Sequence, residues 1–370
     1  MWGPDARHPV RSAQRRRLES RLPWGPTCVA PIMRKTASGR VEQMSAGLMR
    51  AVVREEYGAP EVLRLTEIEK PVPTDDQVLI KIRAVSINGS DREGLIGKPL
   101  YSRMGGLRRP RYPILGSDIA GTVEAVGKNH TEFKAGDEVF GELPGYYGGF
   151  AEYAVTHGKT LAPKPSELSF DEAAAIPQAG VIAYNGIQLK GQVREGQRVL
   201  INGAGGSAGS FAIQLAKLQG AEVTGVDNAS KLDFMRSLGC DHVIDFARED
   251  FTKSGKRYDL ILDLIAHRSN FACKRALAPG GTYFFVGGSV GVIFQLLVLG
   301  PLLRKTSGRS LRMLVVPQNR KDLIAITELC KAGKVTPVID RRFPLSEVPE
   351  AMNYVAEGRA KGKVIITIDG

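Results

Sequence analysis

The sequence predicts an α/β protein in which a doubly wound parallel sheet is inserted into an antiparallel, barrel-like domain. Three observations predict it. From residue 49 to about 177, short strand-like runs are punctuated by glycine and proline. Strands and helices then alternate in single file to about residue 316. A tail of helix, strand, helix and strand follows and is expected to return to the first part. Alternating strands and helices pair in parallel through helical crossovers, whereas short strands joined by tight turns pair antiparallel.

In the first part, strands are expected at 77–85, 119–126, 138–140 and 151–155. The first alternates apolar and charged residues, so it should be half-buried. In the second, strand 198–202 leads to helix 210–219, whose Phe211, Leu215 and Leu218 share one face. Strand 222–226, helix 230–238 ended by Gly239, and strands 242–246, 259–265 and 282–286 follow. The tail holds helix 320–332, strand 338–339, helix 348–357 and strand 364–368.

The 370 residues, 43% of them hydrophobic, suffice for two domains with buried cores. Half of the net charge of +12 comes from residues 1–48, where nine basic residues face three acidic ones. The body is only mildly basic and carries no arginine/aromatic stripe, so nucleic-acid binding is not expected. Residues 1–48 are rich in Arg, Pro, Gly and Ser without an apolar period and read as a disordered tail. It is either an over-extended start, with Met49 the alternative first residue, or an Arg-rich transit segment. Pro4, Pro9, Pro23, Pro26 and Pro31 oppose the amphipathic helix that a transit segment needs. None of the four cysteines lies within three residues of another, which excludes a zinc knuckle or redox pair and suits the reducing cytoplasm. No apolar run approaches the ~18 residues of a spanning helix. The longest, 290–303, is broken by Gly291, Gln295, Gly300 and Pro301.

The most informative segment is VLINGAGGSAGSFAIQLAKLQGAEVTGVD, a strand, a glycine-rich turn, a helix and a second strand. Ala204, Gly206 and Gly209 fill a G-x-G-x-x-G pattern with alanine first. Ala204 sits in the tight turn, Gly206 lets backbone approach a pyrophosphate, and Gly209 lets helix and strand pack closely. The stretch Ala204, Gly205, Gly206, Ser207, Ala208 and Gly209 thus predicts a dinucleotide-phosphate site facing helix N-terminal amides. Asp227 ends the second strand, where a carboxylate accepts the adenosine ribose 2′-hydroxyl and repels a 2′-phosphate; that favours NAD. Lys231 could instead pair with a 2′-phosphate, and Asp227 could merely cap the next helix. The cofactor reading is therefore NADPH or NADH.

From Met49 onward the chain resembles a medium-chain dehydrogenase/reductase of the quinone oxidoreductase type. The resemblance rests on Val85–Asp91 (VSINGSD), Leu115–Gly121 (LGSDIAG), Gly136–Phe140 (GDEVF), Ala173–Pro177 (AAAIP), the glycine-rich turn and Gly362-Lys363-Val364. It implies a GroES-like catalytic domain at 49–177 and 317–370, interrupted by a Rossmann domain at 178–316, with the active site between them. It also implies a homodimer that extends the sheet. Zinc-dependent members of the family hold their metal at positions that correspond here to Asn88, Ser117 and Gln178. An amide, a hydroxyl and a second amide do not make a tetrahedral zinc site, so no metal is expected. Without a Lewis acid, simple alcohols are poor substrates, whereas quinones and α,β-unsaturated carbonyls need a positioned hydride and a donor for the developing oxyanion.

Asn88 is the best catalytic candidate, because the family places an asparagine there near the nicotinamide; an ordinary Asn-Gly turn is the competing reading. Tyr184 could stack or donate, or simply pack. Asp91 reads as a loop anchor. Tyr146 and Tyr147 could line the cleft, Gly287 and Gly288 should let backbone approach the nicotinamide end, and Asp263 ends a strand at the ligand-facing edge. Alternatives are a reductase of other activated lipid-derived carbonyls, or a nucleotide-holding structural or RNA-binding protein. The stretch 290–316 is expected to build the dimer, with peripheral membrane contact of 290–303 as its rival.

Overall fold

The computed structural model describes residues 33–35, 41–43, 47–103, 106–286 and 308–369. They fall into two compact units, residues 1–45 and 46–370. In the first, Met33–Lys35 pairs antiparallel with Val41–Gln43. That short ladder lies within the segment expected to be a disordered tail. The rest of that tail lies outside the described residues. Among the described residues no helix is long and apolar enough to cross a membrane.

The larger unit holds two main sheets. Its first strands, β1 (Leu48–Val53) and β2 (Arg64–Glu69), form an antiparallel pair. A seven-stranded sheet follows, begun by β3 (Val78–Ser86), β4 (Asp118–Val126), β5 (Glu138–Glu142), β6 (Tyr153–Thr156) and β7 (Leu161–Pro163). Helix α1 (Gly89–Ile96) leaves the end of β3. The expectation that β3 is half-buried is corrected: only Lys81 and Arg83 escape burial. The reason is its central place, with one face in the barrel core through Val78, Ile80 and Ile82, and Ala84 packed in the core that includes α2 (Phe170–Ala175). Each such aliphatic side chain stabilises by ~1.5–3 kcal/mol when fully buried.

After α3 (Pro177–Tyr184) the chain enters the parallel sheet. Its strands are β8 (Arg198–Asn202), β9 (Glu222–Asp227), β10 (His242–Asp245), β11 (Tyr258–Asp263), β12 (Leu277–Phe285) and β13 (Ser310–Met313). Their spatial order is β10-β9-β8-β11-β12-β13, all parallel. The order reverses beside β8, so the turn after β8 sits at the switch point where doubly wound sheets bind ligands. Helix α4 (Ser207–Leu218) begins three residues earlier than the apolar period indicates, because the small residues Ser207, Ala208 and Gly209 already form its first turn.

Helix α5 (Leu232–Ser237) follows β9 and α6 (Asn270–Arg275) precedes β12. The tail, α7 (Arg320–Lys331), β14 (Ile339–Pro344), α8 (Val348–Ala356) and β15 (Lys363–Thr367), returns as expected. β15 pairs antiparallel with β3, setting Ile365 opposite Ser86 and Thr367 opposite Ala84. Gly287, Gly288 and most of 290–316 lie outside the described residues; β13 supplies the edge strand expected in that stretch.

Candidate active site

The glycine-rich turn is built as its sequence requires. Gly203 takes a positive φ of 85°, and the Gly203 and Ala204 amides both donate to the Val226 carbonyl. A Cβ on Gly209 would lie 2.3 Å from the Gly203 carbonyl oxygen and 2.5 Å from that of Ala204. Only glycine lets the helix approach the turn this closely. A Cβ on Gly206 would meet only the Gly203 oxygen, at 3.4 Å, so the space above Gly206 is open. The first amides of α4, at Ser207, Ala208 and Gly209, have no intrahelical acceptor and carry the positive end of the helix dipole. A diphosphate fits this cradle.

Asp227 is tied into the same turn. Its Oδ2 accepts the Gly205 amide at 2.9 Å, its Oδ1 accepts the Asn228 amide at 2.9 Å, and Lys231 Nζ lies 3.5 Å from Oδ1. The helix cap considered for Asp227 belongs instead to Asn228, whose side chain accepts the Ser230 amide at 3.1 Å. A carboxylate offers about four acceptor sites, so Asp227 retains capacity for a ribose hydroxyl.

Asn88 opens α1 and is 2% exposed. Its amide N–H donates to Asp91 Oδ2 at 2.7 Å, and the Gly116 amide donates to Asp91 Oδ1 at 3.0 Å, so Asp91 anchors two loops as expected. Asn88 Oδ1 accepts a hydrogen bond from Lys363 Nζ at 2.7 Å, and that ammonium lies 3.7 Å from Asp118 Oδ2. Lys363 and Asp118 are both fully buried. Asp118 also accepts the Gln178 amide N–H at 3.0 Å and the hydroxyls of Ser117 and Ser86 at 3.3 and 3.4 Å. Gln178 Nε2 donates to Glu142 Oε1 at 2.9 Å. Asn88, Ser117 and Gln178, far apart in sequence, therefore gather around one carboxylate. The Asn88 side chain also faces the Asp118 carboxylate and favours its charged form, although Nδ2 makes no hydrogen bond of full geometry with the described residues.

Burial dominates the titration of this cluster. It pushes Asp91 up to about 7, against the two amides that it accepts. It pushes Glu142 up to about 8, aided by the neighbouring charge of Asp118. Burial raises Asp118 and lowers Lys363, while their mutual attraction opposes both shifts. The zinc-ligand chemistry does not fit: the corresponding side chains are two amides and a hydroxyl already engaged with their neighbours. Among the described residues no group of three or more His, Cys, Asp or Glu could hold a metal.

Segment 358–363 joins the two halves of the site. The Gly362 amide donates to the Gly205 carbonyl at 3.2 Å, and Asn228 Nδ2 donates to the Gly358 carbonyl at 3.1 Å. The next residue is Lys363. Sequence reasoning assigned no role to Lys363, Asp118 or Glu142; a lysine opening an apolar strand was the available signal. Tyr184 is not brought to this cluster: it packs against the core that includes the parallel sheet, and its hydroxyl bonds none of the described residues. Tyr147 stacks on Tyr112 with ring centroids 4.9 Å apart. Asp263 is fully buried and accepts Asn202 Nδ2, the Ile265 and Ala266 amides and the Tyr283 hydroxyl, a structural knot at the sheet edge.

Residues 74–166 match the alcohol dehydrogenase GroES-like domain, and residues 238–366 match the zinc-binding dehydrogenase family. The chain is 33% identical to a 2-methylene-furan-3-one reductase of Solanum lycopersicum, over 86% of this chain and 79% of that one. It is 32% identical to the mitochondrial NAD(P)H oxidoreductase RTN4IP1 of Bos taurus, over 87% and 89%. A quinone oxidoreductase structure from Coxiella burnetii superposes with a TM-score of 0.79 at 27% identity, covering 87% of this chain and all (100%) of that one.

Proposed function

Because the chain belongs to the medium-chain dehydrogenase/reductase family, in its quinone oxidoreductase branch, we propose that it reduces a quinone or an α,β-unsaturated carbonyl with NAD(P)H and without zinc. The observation that carries this reading is the convergence of Asn88, Ser117 and Gln178 on a buried Lys363–Asp118 pair. A carbonyl would meet an amide donor there, backed by the buried Lys363 ammonium, in place of a Lewis acid.

The amides of Ser207 and Ala208 and the open space over Gly206 hold the cofactor diphosphate, and Asp227 takes the adenosine ribose. The bound nicotinamide supplies a hydride. Asn88 Nδ2 donates to the substrate carbonyl oxygen as negative charge builds on it. The Lys363 ammonium behind Asn88 strengthens that donation. Glu142, held protonated up to about pH 8, keeps its proton at the carboxyl and adds no negative charge beside the reacting carbonyl.

The test is oxidation of NADPH and NADH, followed by the absorbance of the reduced nicotinamide, against quinones, enones, simple aldehydes and simple alcohols, with elemental analysis of the same protein. Quinones or enones should turn over, alcohols should not, and zinc should be well below one per chain with activity intact in chelator. Stoichiometric zinc together with alcohol oxidation overturns the reading. We also infer a homodimer and a cytoplasmic location. Cys240, Cys273 and Cys330 are unpaired and buried, which suits a reducing compartment, and fractionation separates cytoplasm from the mitochondrial location that one relative's name carries.

A further inference from the structure

Two arms that follow α1, residues 97–103 and 106–112, carry a charge that nothing nearby balances. From Lys98 to Ser117 the sequence holds the cations Lys98, Arg103, Arg108, Arg109 and Arg111 and no acid. Lys98, Arg108, Arg109 and Arg111 are exposed. Among the described residues none of these four joins an ion pair. Leu100, Leu107 and Tyr112 stand between them, 64%, 66% and 44% exposed. Apolar side chains scattered singly over a surface mean little, but interleaved with unopposed cations they have the composition of a segment that lies in a membrane interface.

The arms are also braced. The Tyr57 hydroxyl donates to the Gly106 carbonyl at 2.6 Å. Arg103 Nε donates to the Gly97 carbonyl at 2.9 Å, and its Nη1 donates to the Leu107 carbonyl at 3.3 Å, which ties one arm to the other. The guanidinium groups of Arg54 and Arg103 lie 5.2 and 4.6 Å from the centroid of the Tyr57 ring. Arg103 thus serves the loop itself, and the remaining cations are presented from a fixed backbone, which lowers the entropic cost of docking.

We propose that these arms form a docking surface for an anionic lipid bilayer. Lys98, Arg108, Arg109 and Arg111 lie among the acidic headgroups, and Leu100, Leu107 and Tyr112 reach the boundary with the acyl chains. The positive charge complements the headgroups, and the leucines complement the boundary, which a free phosphate does not offer. Docking presents the candidate site to the bilayer: α1 opens at Asn88 and leads into the first arm, and Tyr112 stacks on Tyr147 in the connector after Glu142. A quinone dissolved in the bilayer then reaches the site without crossing water, a consequence that rests on the quinone reduction proposed above.

The experiment is co-sedimentation of the full chain with vesicles of phosphatidylcholine alone and of phosphatidylcholine mixed with phosphatidylserine, beside turnover of a short, soluble quinone. Wild type should bind the mixed vesicles, less so at raised salt, and bind phosphatidylcholine only weakly. One cation near an anionic surface contributes about fivefold, so Arg108→Gln/Arg109→Gln/Arg111→Gln should lose about a hundredfold in partitioning. Leu100→Ser/Leu107→Ser should lose about tenfold or more. Both variants change exposed side chains, so each should melt as wild type does and reduce the soluble quinone within about twofold of it. Wild type that ignores the mixed vesicles, or binds both kinds equally, overturns the proposal. So does an arginine variant that still binds, which moves the contact to the basic segment 1–48, or binding that Val315→Asp alone abolishes, which moves it to the edge of the parallel sheet. Leucine variants that bind as wild type does exclude insertion, and wild type that binds polyglutamate but no vesicles assigns the arms to an acidic protein. Slow turnover of the soluble quinone in the arginine variant overturns the proposal by placing those side chains in the substrate site. Wild type that binds the mixed vesicles as expected but reduces no quinone removes the function reading and leaves the docking surface supported.

Discussion

Replacing Gly206 with valine and Gly209 with alanine should damage the protein in opposite ways, although the two glycines stand three residues apart in one turn. Gly206 lies at φ −92° and ψ −172°, extended backbone that any residue adopts. A Cβ there has the Gly203 oxygen at 3.4 Å as its sole neighbour. The Cβ strains no backbone; the unfolded chain loses freedom, which for a Gly→Ala change alone stabilises by ~0.4–1 kcal/mol, against the poorer helix capping of valine at this N-cap. The valine methyls instead fill the space the diphosphate must enter, and the loss of one charge-assisted hydrogen bond costs ~1.5–3 kcal/mol. NADPH affinity should fall by about a hundredfold, ~2.7 kcal/mol, at a nearly unchanged Tm.

At Gly209 the Cβ would stand 2.3 Å from one carbonyl oxygen and 2.5 Å from the next. Both are backbone atoms, so turn and helix must separate, at an overpacking cost of ~1–3 kcal/mol. For a protein of this size, with an unfolding entropy of about 2.1 cal/mol/K per residue, that lowers Tm by roughly 1–4 °C. Fluorescence titration with NADPH and thermal melts by circular dichroism read the two effects separately. Wild-type affinity in folded Gly206→Val, or a wild-type Tm in Gly209→Ala, refutes the assignment of this turn.

Further outcomes follow from the same geometry. Asp227→Ser removes the acid that repels a 2′-phosphate and frees Lys231 to attract one, so the ratio of NADPH to NADH efficiency should rise several-fold. The lost Gly205 anchor should weaken both cofactors, and an unmoved ratio would mean that Asp227 serves the turn alone. Glu142 holds its proton in the folded protein up to about pH 8 but releases it near its ordinary 4.5 when unfolded. The folded state therefore binds the extra proton, and this stability is present at low pH and lost as pH rises from about 4.5 to 8. Glu142→Gln should raise Tm at pH 9 and leave it unchanged at pH 4; equal melts at both pH values would refute the buried acid. Strand β13 closes the parallel sheet with Met313 42% exposed, and Val315, two residues beyond its end, is 58% exposed. Light scattering should find a dimer that Val315→Asp dissociates, whereas a wild-type monomer that binds anionic vesicles would transfer the role to membrane contact.

The parallel sheet and its turn were legible because their signals are local. β8 runs from Arg198 to Asn202 in both readings, and Ala204, Gly206 and Gly209 each answer to a neighbour a few residues away. The helix starts were less legible: small residues in the first turn of α4 carry no apolar period, and two adjacent acceptors, Asp227 and Asn228, competed for one cap. The candidate cluster was legible only in part. Asn88, Ser117 and Gln178 stood out through the resemblance, but the lysine among them comes from 275 residues away in sequence. Its partner is chosen by the register of β15 on β3, which no local pattern encodes. Tyr184, an aromatic near the domain junction, packs against the core that includes the parallel sheet.

The pairing of β15 with β3 also governs how the chain can be made. A ribosome releases β3 early, but its edge at Ala84, Val85 and Ser86 stays unpaired until Ile365, Ile366 and Thr367 emerge. The parallel sheet between them can be complete by then, since its strands run from Arg198 to Met313. Synthesis therefore passes through a stage with a finished nucleotide-binding sheet and an open, sticky edge on the other. Chains cut short by even a few residues at the C-terminal strand would retain that edge permanently, exposed to aggregation and to quality-control proteases.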